Sequence, residues 1–462
     1  MHSSPPPSSP LNKKNVILIA DIILFFLLLA FLPFPEQANK GLALLAFVAI
    51  LWLTETLHVS ITALLVPVIS IFLGLVDTHE ALVSFANPII FLFFGGFALA
   101  TALHKQKIDQ IIANKIMALA KGKVFVAALY LFGITAFLSM WMSNTATAAM
   151  MLPLAMGILS QLDRRTYHNT YVFILLGIAY SASIGGMGSL VGSPPNAIVA
   201  SQLNMNFIEW MKFGLPIMLL LLPLMVGTLY IIFKPKLDFH FEQDLEKIPL
   251  TKERMTALTI FILISVLWIF SKQLNPIISS LLGLGNKIVQ FDSVIALLAV
   301  ILICITQTAR WKDIQNSTDW GVLILFGGGI TLSMVLKNSG ASKILADGIV
   351  FLIKGGHFYL IGLLVATFIV FLTEFTSNTA SAALLVPIFI SIAQSLGLPD
   401  TGLALIIGIG ASCAFMLPVA TPPNAIVFGT GEIRQQDMLK AGFWLNIISI
   451  LLISTVAYFF WF

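Results

Sequence analysis

Hydrophobic residues run along this chain in long blocks separated by short polar stretches, and most blocks are long enough to cross a membrane. In the first half they cover about 16–34, 40–57, 59–76 and 88–104. Two shorter runs within 124–161 flank Ser143-Asn144-Thr145, and blocks at 171–203 and 213–233 follow. The second half gives 256–271, 290–308 and 319–336, two short runs flanking Ser377-Asn378-Thr379, then 402–430 and 441–461. Between Lys105 and Lys123, Ile108, Ile111, Ile112 and Ile116 recur at helical spacing; that predicts an amphipathic helix at the interface, and a similar piece falls near 341–354. The Ser/Pro-rich tail 1–15 reads as disordered. No small-residue cleavage site follows the block starting at Val16, so it reads as a first membrane helix and not a signal peptide. A linker of mixed charge, 234–255, divides the chain into 16–233 and 256–462.

Composition narrows the class. Fifty-eight per cent of residues are apolar and 10% charged, against about half and about a quarter in soluble domains. That excludes a soluble enzyme, a nucleic-acid binder and a disordered scaffold. The net charge of +4 follows topology. With the N-terminus in the cytoplasm and both Ser-Asn-Thr segments re-entering without crossing, eleven crossings result and the C-terminus lies outside. Eighteen of the 25 Lys and Arg then fall inside and seven outside, as the positive-inside rule requires. The fold expected is an all-α polytopic membrane protein with about 11 transmembrane helices and two re-entrant hairpins, in a bacterial inner membrane. Most of the eight Trp fall near block ends and read as interface anchors. Cys304 and Cys413 read as free buried thiols.

The chain also repeats itself. Ser143-Asn144-Thr145-Ala146 through Pro153 returns as Ser377-Asn378-Thr379-Ala380 through Pro387. Gly192-Ser193-Pro194-Pro195-Asn196 returns as Ala420-Thr421-Pro422-Pro423-Asn424, and Phe94-Gly95-Gly96 as Phe326-Gly327-Gly328. An odd number of crossings separates the copies, which makes an inverted repeat, the plan by which secondary transporters build alternating access.

The repeated motifs carry chemistry. Ser-Asn-Thr within an apolar stretch is costly unless paired, and suits the tip of a re-entrant hairpin lining a cavity. The helix beginning near Ala146 or Ala380 would aim N–H groups at the tip, a ready anion site. Pro-Pro inside a block should end a helix and free carbonyls, hard donors suited to Na⁺. Residues 125–162 and 166–208 hold no Asp, Glu, Lys or Arg, and 355–431 hold only Glu374 and Asp400. An anion held here has no basic side chain to meet, so bound cations would supply the missing positive charge. Glu374 stands three residues before the second Ser-Asn-Thr; it reads equally as an ion-orienting or protonatable group and as a cap on loop amides.

These paired motifs resemble those of the divalent anion/sodium symporter family, the INDY-type dicarboxylate transporters, over nearly the whole chain. The resemblance implies a scaffold and a transport domain in each protomer, a homodimer and elevator-type movement. It implies one Na⁺ near Ser139, Ser143, Asn144 and Gly192 and another near Thr373, Thr376, Asn378 and Ala420. Thr376 stands where relatives should have a small residue, which leaves a carbonyl role untouched. The resemblance places substrate carboxylates against Asn144, Thr145, Ser193, Pro194, Ser377, Asn378, Thr379, Thr421 and Pro422. The expected function is sodium-coupled import of C4-dicarboxylates such as succinate, malate and fumarate, with sulfate or citrate as alternatives. An intramembrane enzyme would need a nucleophile–base pair or metal ligands at depth, and no Walker A motif supports ATP-driven transport. A channel would need no ion-coordinating tips.

Overall fold

A computed structural model describes residues 13–239, 248–353 and 357–462, with the backbone alone for 349–353. The expected disorder of the tail concerns residues outside this range, except for its last three, 13–15, which begin a helix. Part of the linker, 240–247, is also outside it. Among the described residues there are helices and no strands. Eight are long and apolar enough to cross a membrane, nine if Lys252–Ile269 and Ser271–Leu281 count as one bent span. Asn378–Leu396 is among the eight by length, although its sequence places it in a hairpin.

The two halves carry the same order of elements. Glu36–Thr54, Val59–Phe72, Pro88–Lys105 and the amphipathic Ile108–Ala118 precede the first hairpin, made of Val124–Ser139 and Asn144–Leu159. Then come His168–Gly186, an irregular stretch, Pro194–Leu203 and Phe207–Phe233. In the second half, Lys252–Ile269, Phe291–Ile305, Trp320–Asn338 and Ala341–Ile353 precede the second hairpin, Phe358–Leu372 with Asn378–Leu396. Asp400–Gly410, an irregular stretch, Pro422–Phe428 and Gln435–Val456 complete it. Lys13–Phe31 and Ser271–Leu281 stand outside this scheme, and the short Thr78–Val83 and Trp311–Ser317 precede its third helix in each half.

Packing exchanges the halves. Pro88–Lys105 lies on Phe291–Ile305, and Trp320–Asn338 lies on Val59–Phe72. Both crossings are close because glycine makes them so: a Cβ on Gly95 would sit 2.7 Å from the Ala296 carbonyl oxygen, and one on Gly328 would sit 2.5 Å from that of Ala63. Close backbone approach at small residues is how helices associate where burial from water gives no driving force. The same exchange recurs beside the hairpins. Pro194–Leu203 packs on Asn378–Leu396 and Asp400–Gly410, while Pro422–Phe428 packs on Asn144–Leu159 and His168–Gly186.

Three expectations need correction. The first concerns tryptophan. Trp52, Trp210 and Trp268 are fully buried, and their indole N–H groups donate to the carbonyls of Val59, Met187 and Asp292. Trp141 and Trp461 are buried too, so only Trp311, Trp320 and Trp444 have the exposure of interface anchors. A block end is also where chain breaks leave carbonyls without helical partners, and an indole N–H can serve them. The second concerns the stretch between blocks 256–271 and 290–308, which holds a helix, Ser271–Leu281, turned by 99° from the preceding one. Its Ile277 and Leu281 are exposed one turn apart, the pattern of a helix lying along the interface. The third is Cys304, which is half-buried, whereas Cys413 is buried; both are free.

Candidate functional site

Each hairpin tip is shaped by its serine. Ser143 Oγ accepts from the Ala146 N–H at 3.2 Å, and Ser377 Oγ from the Ala380 N–H at 3.4 Å. Serine is among the best N-cap residues, so the helices begin at Asn144 and Asn378, two residues earlier than expected. Behind each tip stands a hydroxyl. Ser139 Oγ lies 2.7 Å from Asn144 Oδ1 and 2.6 Å from the Ala182 carbonyl oxygen. Thr373 Oγ1 lies 2.5 Å from Asn378 Oδ1 and 2.9 Å from the Ala411 carbonyl oxygen. One hydroxyl hydrogen cannot serve two acceptors fully, so each tip holds more oxygen lone pairs than donors.

The irregular stretches are wired alike. Asn196 Nδ2 donates to the carbonyls of Gly186 (2.8 Å) and Ser189 (2.7 Å). Asn424 Nδ2 donates to those of Ala414 (3.1 Å) and Leu417 (3.0 Å). The Oδ1 atoms of both asparagines are buried and have no hydrogen-bond partner among the described residues. The prolines act differently from expectation. Pro194 and Pro422 begin helices, where the missing N–H costs nothing and the fixed φ is already helical. The breaks lie earlier, at Gly186 and Gly410.

Both tips and both post-break turns open into one cavity of about 1160 Å³. All nine residues expected to meet substrate line it: Asn144, Thr145, Ser193, Pro194, Ser377, Asn378, Thr379, Thr421 and Pro422. Ser143, Gly192, Thr376 and Ala420 line it as well. Ser139 and Thr373 do not; they stand behind the tips, fully buried. Four helix starts therefore converge on this space, at Asn144, Pro194, Asn378 and Pro422. Helix N-termini carry partial positive charge and unpaired N–H groups, which favour an anion without any basic side chain.

The rest of the lining comes from segments outside the Ser-Asn-Thr and Pro-Pro-Asn motifs. Phe93, Gly96, Phe97, Thr101, Lys105, Asp313 and Ser317 belong to it. Lys105 is ion-paired with Asp313, and Thr101 Oγ1 meets Ser317 Oγ at 2.6 Å. The Phe-Gly-Gly anchor at 94–96 was the available signal, since Gly96 itself faces the cavity. Glu55, Asp313, Asp319 and Glu374 also line the space. Its ionisable side chains are mainly acidic, so a dianion would enter against them unless cations accompany it.

The first tip fits a small hard cation. A Cβ on Gly192 would sit 2.5 Å from the Gly186 carbonyl oxygen and 3.0 Å from that of Ser139. A Cβ on Gly186 would run into Asn144 Oδ1. Oxygens thus crowd a space that side chains leave empty, and oxygen donors alone suit Na⁺. At the second tip, the Thr376 hydroxyl is engaged by the Leu372 carbonyl (2.9 Å) and Ser381 Oγ (2.8 Å). Glu374 is buried and takes four donors: the N–H groups of Phe415 (2.7 Å), Met416 (2.9 Å) and Leu417 (3.1 Å), and Asn446 Nδ2 (2.7 Å). These surroundings are those of a carboxylate capping the second break.

The family model for the sodium:sulfate symporter transmembrane region matches residues 12–462. An uncharacterized transporter of Haemophilus influenzae is 70% identical, over 97% of this chain and 98% of its own length. A sodium-dependent dicarboxylate transporter of Staphylococcus aureus is 34% identical, over 97% of this chain and 92% of its own. Among solved structures, the Alcanivorax borkumensis YdaH transporter superposes with a TM-score of 0.58 at 13% identity, covering 96% of this chain and 97% of its own, which shows a shared fold. The chain is a multi-pass membrane transporter and not an enzyme, and it belongs to the sodium:sulfate symporter family, whose members carry divalent anions with Na⁺.

Proposed function

We propose that this chain imports C4-dicarboxylates, such as succinate, malate and fumarate, together with Na⁺. The observation that carries this reading is the pair of identically wired Ser-Asn-Thr tips meeting in one cavity that receives helix N-termini but no basic side chain from the motifs. Two tips suit a substrate with a carboxylate at each end. Ions beside Asn144 and Asn378 would supply the positive charge the motif segments lack. The Staphylococcus relative supports the substrate class.

The finer points form one scheme. Na⁺ at the first tip meets Ser139, Ser143, Asn144 and Gly192, and at the second Thr373, Thr376, Asn378 and Ala420; Ser139 and Thr373 offer carbonyls. The halves are inverted repeats crossing an inner membrane eleven times, with the N-terminus cytoplasmic and the C-terminus outside. The eleven are the long spans other than the hairpin arm Asn378–Leu396, the first limb of the bent pair, the shorter Val59–Phe72 and Phe291–Ile305, and the broken 400–428. The hairpins and broken helices move as an elevator against the scaffold helices in a homodimer. Lys105, Asp313 and Glu55 line the cavity too; this topology puts them on the cytoplasmic side, so the cavity would open inward.

The test is uptake of labelled succinate into proteoliposomes under an inward Na⁺ gradient, against equal K⁺ or choline gradients. Uptake with Na⁺ only, lost in Asn144→Ala and in Asn378→Ala, is expected. Folded protein that takes up sulfate or citrate but not succinate would replace the dicarboxylate. Succinate uptake indifferent to Na⁺ would overturn the coupling.

A further inference from the structure

Away from the transport cavity, a second and smaller hollow of about 200 Å³ lies where the chain leaves Phe207–Phe233 and passes the start of His168–Gly186. Its construction is specific. Lys234 takes a left-handed backbone (φ 45°) that ends the long helix and turns the chain. The chain then runs back across the neighbouring helix start. Asn169 Nδ2 donates to the Phe233 carbonyl (2.7 Å), Thr170 Oγ1 to that of Lys236 (2.9 Å), and the Lys236 N–H to Thr170 Oγ1 (3.1 Å). The Lys236 ammonium sits 5.9 Å from the centre of the Tyr167 ring.

This wiring holds Arg165, Lys234 and Lys236 around one opening, beside a 19-residue helix whose first turn has no side-chain cap. The three cations have no ion-pair partner among the described residues, whereas the nearby cations are spoken for. Arg164 pairs with Glu432, Arg434 with Asp437, and His168 meets Asp437 at 3.3 Å. The acidic neighbours Asp163 and Asp238 are exposed, and Asp163 is engaged by Thr166. Three cations without an ion-pair partner among the described residues, at an open helix start, make a pocket for a phosphate group.

The surface beside the pocket says where that phosphate comes from. Tyr230 and Ile231, within one turn of Lys234, are 48% and 71% exposed, and Leu219, Leu220 and Leu224 continue the same helix as exposed apolar side chains. Helix Phe207–Phe233 thus offers acyl chains a face that ends at the basic pocket. The positive-inside count places this end in the cytoplasmic leaflet. We propose that the pocket binds the phosphate of an anionic phospholipid from that leaflet, clamped by Arg165, Lys234 and Lys236. Basic pockets between transmembrane helices on the cytoplasmic side bind anionic lipid head groups.

The experiment uses the full chain in a neutral detergent. Thermal stability is measured against added phosphatidylglycerol, phosphatidylcholine or inorganic phosphate, and phosphatidylglycerol binding by native mass spectrometry. Phosphatidylglycerol should raise Tm where phosphatidylcholine and millimolar phosphate do not. The triple variant R165Q/K234Q/K236Q should bind it on the order of 100-fold more weakly, at about a factor of 5–6 per cation removed. A control with the same loss of charge, K115Q/K121Q/K123Q, should bind like wild type. Equal binding by the triple variant and wild type, or equal loss in the control, would overturn the site. A phosphate response equal to that of the lipid would make it a free-anion site and overturn the lipid source. Glu242, Asp244 and Glu246 lie outside the described residues; if replacing them with Gln tightened lipid binding tenfold, that acidic segment would be the occupant and the proposal would fall.

Discussion

Glu374 distinguishes two ways of using an acid at membrane depth. Its Oε1 accepts from Phe415 N–H, Met416 N–H and Asn446 Nδ2, and its Oε2 from Leu417 N–H. Glu374→Gln can keep three of these bonds by placing its amide oxygen at the Oε1 position. Its NH₂ then faces the Leu417 N–H across about the present 3.1 Å, donor against donor. The variant loses charge assistance on the remaining bonds, worth about 1 kcal/mol or more in sum, and leaves one buried amide unsatisfied at about 1–3 kcal/mol. The expected cost is about 2–4 kcal/mol, a fall in Tm on the order of 5 °C. A capping role predicts the same fall with and without Na⁺. It also predicts an unchanged half-saturating Na⁺ concentration and pH profile for the uptake that remains. An unaltered Tm together with a displaced pH profile would refute the capping role and make Glu374 a titrating group in the transport cycle. Glu374→Ala strands all four donors and is expected to fold poorly, which is why the glutamine variant is the informative one.

Other changes test other parts of the structure. Gly186→Ala pushes a methyl group into Asn144 Oδ1 and should raise the half-saturating Na⁺ concentration about tenfold, or about 1.4 kcal/mol. Ala414→Gly, at the matching place in the second copy, should change it little, because that copy already accommodates the methyl. Asp21 is 2% exposed in the first helix, and neither carboxyl oxygen has a partner among the described residues. Asp21→Val should therefore raise stability by about 1–2 kcal/mol, read as a higher Tm in detergent. The Lys105 hydrogen bond holds the Asp313 carboxyl below its ordinary value. Its contribution is present above about pH 4 and is lost as pH falls through the lowered value. Both side chains are more than a third exposed, so the effect is a few tenths of a kcal/mol. Tm measured downward from pH ~5 should fall slightly less steeply in Asp313→Asn than in wild type.

The parts of this molecule legible in its sequence are those whose chemistry conflicts with their surroundings. Ser143-Asn144-Thr145 and Ser377-Asn378-Thr379 are visible because polar residues in an apolar block need a reason, and the tips do meet in one cavity. Pro194 and Pro422 marked the discontinuities but misled on direction, since a proline permits a helix start as readily as it forbids an interior. The fold was legible as alternating blocks. What stayed hidden depends on partners distant in sequence. Trp52 and Trp268 looked like interface anchors because nothing local shows that an indole will serve a buried carbonyl. Ser271–Leu281 vanished between two blocks because an interfacial helix of 11 residues is neither apolar enough nor long enough to register. The cavity wall at Thr101, Lys105 and Ser317 brings residues over 200 positions apart together, and no local pattern announces that.

The exchange of packing between halves bears on how the proposed coupling would work. If each copy kept its own hairpin and post-break helix together, each tip would be a separate site with its own ion. Instead, Pro194–Leu203 starts beside the first loop and packs on the second hairpin arm, and Pro422–Phe428 does the converse. Asn196 anchors the first of these helices to the carbonyls of Gly186 and Ser189, and Asn424 anchors the second to those of Ala414 and Leu417. An ion drawing the Gly186 carbonyl toward Asn144 would pull on Asn196, and through its helix on the arm that begins at Asn378. The second copy offers the reverse path through Asn424. Under that scheme, filling one tip would preorder the other, so a substrate needing both would bind well only after the ions are in place. That order follows from which helix touches which hairpin, and it would exist even if the two halves had identical side chains throughout.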